Sequence, residues 1–269
     1  MFARKEETKL GRTLLDRLGV APNGKFACLT YHIIGPGDGQ YTLAERRFRD
    51  QLAFLCGEGY VVEGFEELEV RLRAGGRFPE RYVVLTVDDG HESSMRAAEL
   101  FEAYGCRATF FITSDRALKK ARYLREPEIC ELRKRHFSIG AHGATHRKLT
   151  FLSESACIEE LERSKRWLEQ ALGEEVRYMA APGGYVNARV LQLACDQGYV
   201  LTGTCSEWMN SISTMCLPGT VNRVNIRQRF SLEVFRRVVE GKLGFYFGRQ
   251  ARAAALWIPK QMLRASVVW

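Results

Sequence analysis

Five histidines occur in the 269-residue chain, and two of them, His142 and His146, flank a Gly-Ala-Thr spacer. Imidazole is the commonest side-chain metal ligand, and a His-x3-His span lets two rings reach one ion. Two surface histidines near a helix start would show the same spacing. A second cluster, Asp88-Asp89-Gly90-His91, follows the apolar run Val84-Leu85-Thr86-Val87. Adjacent carboxylates repel each other and are costly when buried unpaired, so a cation would relieve them. The same Asp-Asp-Gly run is also good turn chemistry. One Asp and two His make three protein ligands and leave a place for water, which is the pattern of a catalytic rather than a structural zinc site. Such an ion lowers the pKa of water toward neutrality, and the remaining Asp is free to act as a base.

These residues need elements that bring them together. Residues 26–33 read as a buried strand, and Thr42 and Glu45 have the capping-box spacing before an amphipathic helix carrying Leu43, Phe48, Leu52 and Leu55. Strands are predicted at 60–62, 82–87, 108–112, 137–141, 176–181, 199–202 and 221–226. Helices are predicted at 65–72, 92–104, 127–135 and 153–172, with further helices starting at Asn187 and Ser231. Strands alternating with helices of this length mean parallel strands with crossover helices. An open doubly wound sheet or a (β/α) barrel fits this alternation. No G-x-G-x-x-G opens a helix after the first strand, which argues against a dinucleotide fold. A single α/β barrel domain is the favoured reading. In a barrel the chemistry sits at the C-terminal strand ends. His32, Asp88-Asp89, His142 and Pro182-Gly183-Gly184-Tyr185 all follow predicted strands.

Val84-Leu85-Thr86-Val87-Asp88-Asp89-Gly90, followed by Ala108-Thr109-Phe110-Phe111-Ile112, resembles the first signature of the NodB-homology polysaccharide deacetylases, carbohydrate esterase family four. His142-Gly143-Ala144-Thr145-His146 resembles their second signature, and Ala180-Ala181-Pro182-Gly183-Gly184 is similar to their third. The likeness spans residues 26–240. It implies a distorted (β/α)7 barrel and a divalent ion, Zn2+ first, with Co2+, Ni2+ or Mn2+ as alternatives. It implies Asp89, His142 and His146 as ligands and Asp88 as base. The Gly183 N–H would help stabilise the oxyanion. Three departures stand out. Ala180 occupies the place of the usual third-motif Arg, Gly183 that of a Tyr, with Tyr185 displaced by two, and no His follows His146. Leu29-Thr30-Tyr31-His32 instead resembles the Leu-x-Tyr-His of the circularly permuted branch that deacetylates poly-N-acetylglucosamine, which also lacks that Arg.

His32 is then expected to be the general acid. Amide hydrolysis expels an amine that must be protonated, and His titrates in the right range. A core histidine satisfied on a strand is the alternative. His91 either lines the cleft or lies in a helix's first turn, and His136 belongs to a basic run. Arg223 either replaces the lost Arg beside Asp88 or is a structural surface Arg. Tyr185 and Trp208 are further substrate-side candidates, Trp208 as a sugar platform or as a core residue.

The bulk composition narrows the rest. Lys and Arg number 40 against 32 Asp and Glu, for a net charge of +8. That excess would suit an anionic partner such as a phosphorylated carrier, or serve solubility. Nucleic acid is not expected as a partner. The expected divisions are an N-terminal extension (1–25), the barrel (26–240) and a basic aromatic tail (241–269). The tail carries Lys242, Arg249, Arg252, Lys260 and Arg264 without an acid. Residues 245–269 either touch an anionic membrane surface or cover the barrel end. Eight cysteines without a C-x-x-C pair and an N-terminus without an apolar run point to reduced thiols in the cytoplasm, at the inner membrane face if the tail binds there. The expected activity is hydrolysis of an N-acetyl group from a sugar in a polysaccharide or its lipid-linked precursor. A non-catalytic carbohydrate-binding barrel and another metal-dependent C–N hydrolase are the alternatives. The oligomeric state is not legible.

Overall fold

The computed structural model describes residues 24–75, 78–242 and 244–246. The chain enters through β1 (Lys25–Tyr31) and a small pair, β2 (Ile33–Ile34) and β3 (Thr42–Leu43), before helix α1 (Glu45–Gly57). It continues through β4 (Val61–Glu63), α2 (Phe65–Arg73), β5 (Tyr82–Val87), α3 (Ser93–Ala103), β6 (Thr109–Ile112), α4 (Ser114–Lys119) and α5 (Glu126–Lys134). Next come β7 (Ser138–Ala141), α6 (Glu154–Leu172), β8 (Tyr178–Ala180), α7 (Ala188–Asp196) and β9 (Leu201–Gly203). The last elements are β10 (Asn210–Ser211), β11 (Gly219–Val221), β12 (Val224–Asn225) and α8 (Leu232–Val239).

The parallel order β1-β5-β6-β7-β8-β9-β11 forms a nearly closed wall. The short run 219–225 completes it. Its first part pairs with β9, with Val221 opposite Gly203, and its last part pairs with β1, with Val224 opposite Leu29. Asn222 and Arg223 therefore sit at the seam. The architecture is a distorted (β/α)7 barrel in one domain.

Period-2 alternation explains what fills it. Phe26 and Cys28 of β1 and Tyr82 and Val84 of β5 pack inward with Phe65, Phe78, Phe111 and Tyr178. Ala27, Leu29 and Tyr31 and Val83, Leu85 and Val87 face outward into the layer under the helices. Each buried aromatic or Leu side chain stabilises by about 1.5–3 kcal/mol, so the lower barrel is a packed plug rather than a channel. Above the plug the inward positions turn small or polar. Thr86 donates to Thr30 Oγ1 at 3.0 Å. Gly140 is required by close approach, since a Cβ there would lie 2.4 Å from the Phe111 ring. The next inward positions on β1, β5 and β7 are His32, Asp88 and His142.

The capping box expected at Thr42 is not made. Thr42 and Leu43 pair with Ile33 and Ile34, so the helix begins after Ala44 and Glu45 turns to Arg49 and Arg96. Strand pairing has overridden the local cap. Ser153, Asn187 and Ser231 do cap their helices, and Gly173 closes α6 in the left-handed region. The expected single strand 221–226 is two short ones, and α4 and the antiparallel β10 were not foreseen. Of the tail, Tyr246 is buried and its hydroxyl donates to the Val238 carbonyl at 2.7 Å. The remainder, and nearly all of the N-terminal extension, lie outside the described residues. Among the described residues no helix is long and apolar enough to cross a membrane.

Candidate active site

The three ligand candidates converge. One donor atom each from Asp89, His142 and His146 lies within 4.8 Å of the others. Asp89 Oδ1 is 3.0 Å from His146 Nε2 and 3.5 Å from His142 Nε2. His142 is fully buried, and its Nδ1–H donates to the Ala180 carbonyl at 2.8 Å. That bond fixes the tautomer and leaves the Nε2 lone pair directed at Asp89, the usual arrangement of a ligating histidine. Asp89 and His146 both have left-handed backbones, with φ of 77° and 67°. Such conformations cost non-glycine residues about 1–3 kcal/mol and cluster at functional sites. Arg116 Nη1 lies 2.8 Å from Asp89 Oδ1, yet the buried oxygen receives no aligned hydrogen bond. A donor set with a free imidazole nitrogen and an under-satisfied carboxylate oxygen fits a divalent cation.

The chain fixes this cluster from behind. Glu160 of α6 is buried and accepts from the Ala144 and Thr145 N–H groups, each at 2.9 Å, and from the Thr145 hydroxyl. The loop joining His142 to His146 is thereby tied to a long helix. Its other side is held where Asp115 N–H donates to the Ala144 carbonyl at 2.9 Å.

Asp88 is buried beside the cluster, with Oδ2 3.9 Å from His142 Nε2. Arg223 grips it with two parallel bonds, Nη1 to Oδ1 at 2.6 Å and Nη2 to Oδ2 at 2.9 Å. Arg223 is itself fully buried, donates to the Thr204 carbonyl at 3.1 Å, and lies over the Phe111 ring. Gly203 makes room for it, since a Cβ there would stand 2.7 Å from Arg223 Nε. An unpaired buried carboxylate would be costly, so the bidentate partner keeps Asp88 ionised.

The charges reinforce this assignment of states. Burial raises the Asp88 carboxyl, but Arg223 and His142 outweigh it and hold it below the usual range. Burial likewise raises Asp89, and the neighbouring His146, His142 and His32 rings more than reverse it. Burial pushes His142 down to about 4 against the opposing pull of Asp88 and Asp89, so its ring is neutral near pH 7. Burial also lowers His32, against the same two carboxylates.

His32 follows β1, its ring stacks on Tyr41 with centroids 4.7 Å apart, and its buried Nδ1 has no protein partner. Gly183 lies in the turn 182–184 directly after β8. Tyr185 is exposed at the rim under Lys148 Nζ, with the exposed Phe151 ring 6.4 Å away. Trp208 packs edge-on against Tyr246 at the margin of the core. His91 is bound locally, its Nδ1 accepting from the Ser93 N–H at 3.1 Å and its ring lying edge-on to Tyr123. Sequence reasoning did not single out Glu160, Arg116 or Tyr41. Glu160 stands in a charged helical run with no local mark. Tyr41 follows a Gly-rich loop whose return onto His32 is a tertiary event.

Residues 75–202 match the family model described as polysaccharide deacetylase. Asp88, Asp89, His142, His146 and Gly183 lie within the matched stretch, and His32 and Arg223 lie outside it. No curated protein matches the chain by sequence. Among solved structures, the Streptococcus pyogenes deacetylase PplD in complex with acetate is similar at 24% identity and TM-score 0.73, covering 80% of this chain and 98% of its own. IcaB from Ammonifex degensii is similar at 23% identity and TM-score 0.69, covering 81% and 97%. The BpsB deacetylase domain from Bordetella bronchiseptica is similar at 15% identity and TM-score 0.63, covering 76% and 96%. At these identities the likeness establishes the shared fold.

Proposed function

We propose that the chain hydrolyses the N-acetyl group of an N-acetylated sugar, in a polysaccharide or its lipid-linked precursor, releasing acetate and a free amine. The observation that carries this reading is the Asp89–His142–His146 cluster beside an Arg-clamped Asp88, at the strand ends of a barrel whose residues 75–202 match the polysaccharide deacetylase family model. Asp89, His142 and His146 would hold a divalent ion, Zn2+ first. When bound, the ion supplies Lewis acidity toward the acetamide carbonyl and the attacking water.

The remaining steps belong to the chain. Asp88 keeps lone pairs free on both oxygens beyond the two Arg223 bonds, and Oδ2 faces the ligand set, so it can take the proton of the attacking water. Arg223 positions that carboxylate and keeps it charged. The Gly183 N–H would donate to the developing oxyanion. His32, on a different strand from Asp88, would act in its protonated form, giving that proton to the departing amine and returning to the neutral ring that burial favours, and the Tyr41 ring holds its plane. The Arg223–Asp88 pair also weakens the case for a non-catalytic binder. It fills the role left open by Ala180, and a binding protein has no need of a buried base. PplD was solved with acetate, the acid this reaction would release. The test is acetate release from N-acetylated oligosaccharides by metal-loaded wild type and Asp88→Asn. Turnover in wild type and its loss in a variant that still binds metal is the expected result. A fully active Asp88→Asn would remove the base from the account.

A further inference from the structure

A cavity of about 390 Å³ lies beside the loop that follows His32. Its walls are the Gly35–Gly37 turn, Ala44 and Arg47 at the start of α1, and Gln228 and Arg229 beyond β12. The walls are tied together. Gln228 donates through Nε2 to the Gly37 carbonyl at 2.8 Å and through its backbone N–H to the Gln40 carbonyl at 2.9 Å. Arg47 donates to the Gln228 carbonyl.

The charge of these walls is one-sided. Neither Arg47 nor Arg229 has a carboxylate partner among the described residues. Glu45, the acid of the first turn of α1, is drawn away to Arg49 and Arg96 at 2.9 and 2.8 Å. Asp38, the acid of the loop, is exposed and does not wall the cavity. No side chain caps α1, so the positive end of a 13-residue helix opens where Ala44 lines the cavity. Two guanidiniums without a carboxylate partner among the described residues, and a helix N-terminus, around one concave space select a compact oxyanion, phosphate above all. The volume lies in the range of small-molecule sites, roughly 300–1,000 Å³.

The same two loops border the active site. The first runs on to Tyr41, whose ring stacks on His32. The second carries Arg227, 6.0 Å from the Tyr41 ring and next to Gln228. An anion held in the cavity would therefore share its two loops with the ring packed on His32. We propose that the cavity binds a phosphate or diphosphate group of the substrate, so that the preferred substrate is an N-acetylated sugar bearing phosphate rather than a neutral glycan. This inference rests on the deacetylase reading above.

The test compares acetate release from an N-acetylhexosamine 1-diphosphate and from the methyl glycoside of the same sugar, using the metal-loaded full chain. The expected KM for the diphosphate is at least about tenfold lower, and raised salt narrows the gap. The double variant Arg47→Ala/Arg229→Ala should lose that preference and leave the methyl glycoside unaffected. The charge-keeping Arg47→Lys/Arg229→Lys variant should retain part of it and controls for folding. Equal KM values in wild type, or a preference that survives the double alanine variant, overturn the proposal. If neither sugar is turned over, the deacetylase reading has failed, and calorimetric titration with pyrophosphate reads the cavity alone. Pyrophosphate binding that the double alanine variant loses supports the oxyanion site. Absent or unaltered binding overturns it. Pyrophosphate binding without any substrate preference marks a free-anion site and overturns the substrate assignment.

Discussion

Replacing Glu160 tests whether the ligand loop owes its shape to one buried carboxylate. Oε2 accepts from the Ala144 and Thr145 N–H groups at 2.9 Å, and Oε1 takes the Thr145 hydroxyl. Glu160→Ala leaves two backbone donors without an acceptor, at about 1–3 kcal/mol each. Thr145 is exposed, so water can reach one of them, and a total of about 2–4 kcal/mol follows. At about 2–4 °C per kcal/mol for a domain near this size, Tm falls by about 4–16 °C. Glu160→Gln can keep its carbonyl on both N–H groups and turn its amide toward the Thr145 oxygen, so its cost is about 1–2 kcal/mol. The loop carries His142 and His146, so Glu160→Ala should also weaken metal binding by about 10–100-fold, as losses of groups behind the ligands do. Thermal melts of the metal-free protein and competition against a chromogenic chelator read the two effects. A Glu160→Ala protein that melts and binds metal like wild type would refute the reasoning.

Three further outcomes follow from the site. Arg223→Met strands Asp88 as a buried unpaired charge and should cost about 3–5 kcal/mol in denaturant unfolding, part of which the double variant Arg223→Met/Asp88→Asn recovers. In metal-free protein His142 is neutral when folded and basic when unfolded, with its folded pKa down near 4. The unfolded chain therefore binds the extra proton, and stability should fall by up to about 3 kcal/mol as pH drops from about 6.5 toward 4. His142→Phe should flatten that slope in pH-dependent melts. His32→Ala should bind metal normally and lose about 10²–10⁴ in turnover of N-acetyl substrates, with a smaller loss on an activated acetyl ester. Equal losses on both substrates would assign His32 a positioning role.

Much of the site was legible because barrel strands alternate strictly. The inward positions 26, 28 and 30 on β1 lead to His32, and 82, 84 and 86 on β5 lead to Asp88, so residue parity alone aims both at the mouth. Helix starts at Ser153, Asn187 and Ser231 were equally readable, because the cap that sets each is a local bond. Contacts that depend on distant closure were less readable. Arg223 stood as one of two readings, and only the split strand at 219–225 shows why it reaches Asp88. Glu160 looks like any acid of a solvated helix until the packing of α6 against the ligand loop gives it donors. Thr42 carried a cap signal that pairing with β2 overrode.

The most direct test of the account is metal stoichiometry and acetate release measured together on Asp89→Asn, His142→Ala and His146→Ala. The account expects one divalent ion per wild-type chain, at least about tenfold weaker binding in each variant, and deacetylation that falls in step with bound metal. Unchanged stoichiometry in the two histidine variants, or full acetate release after chelation, would contradict it.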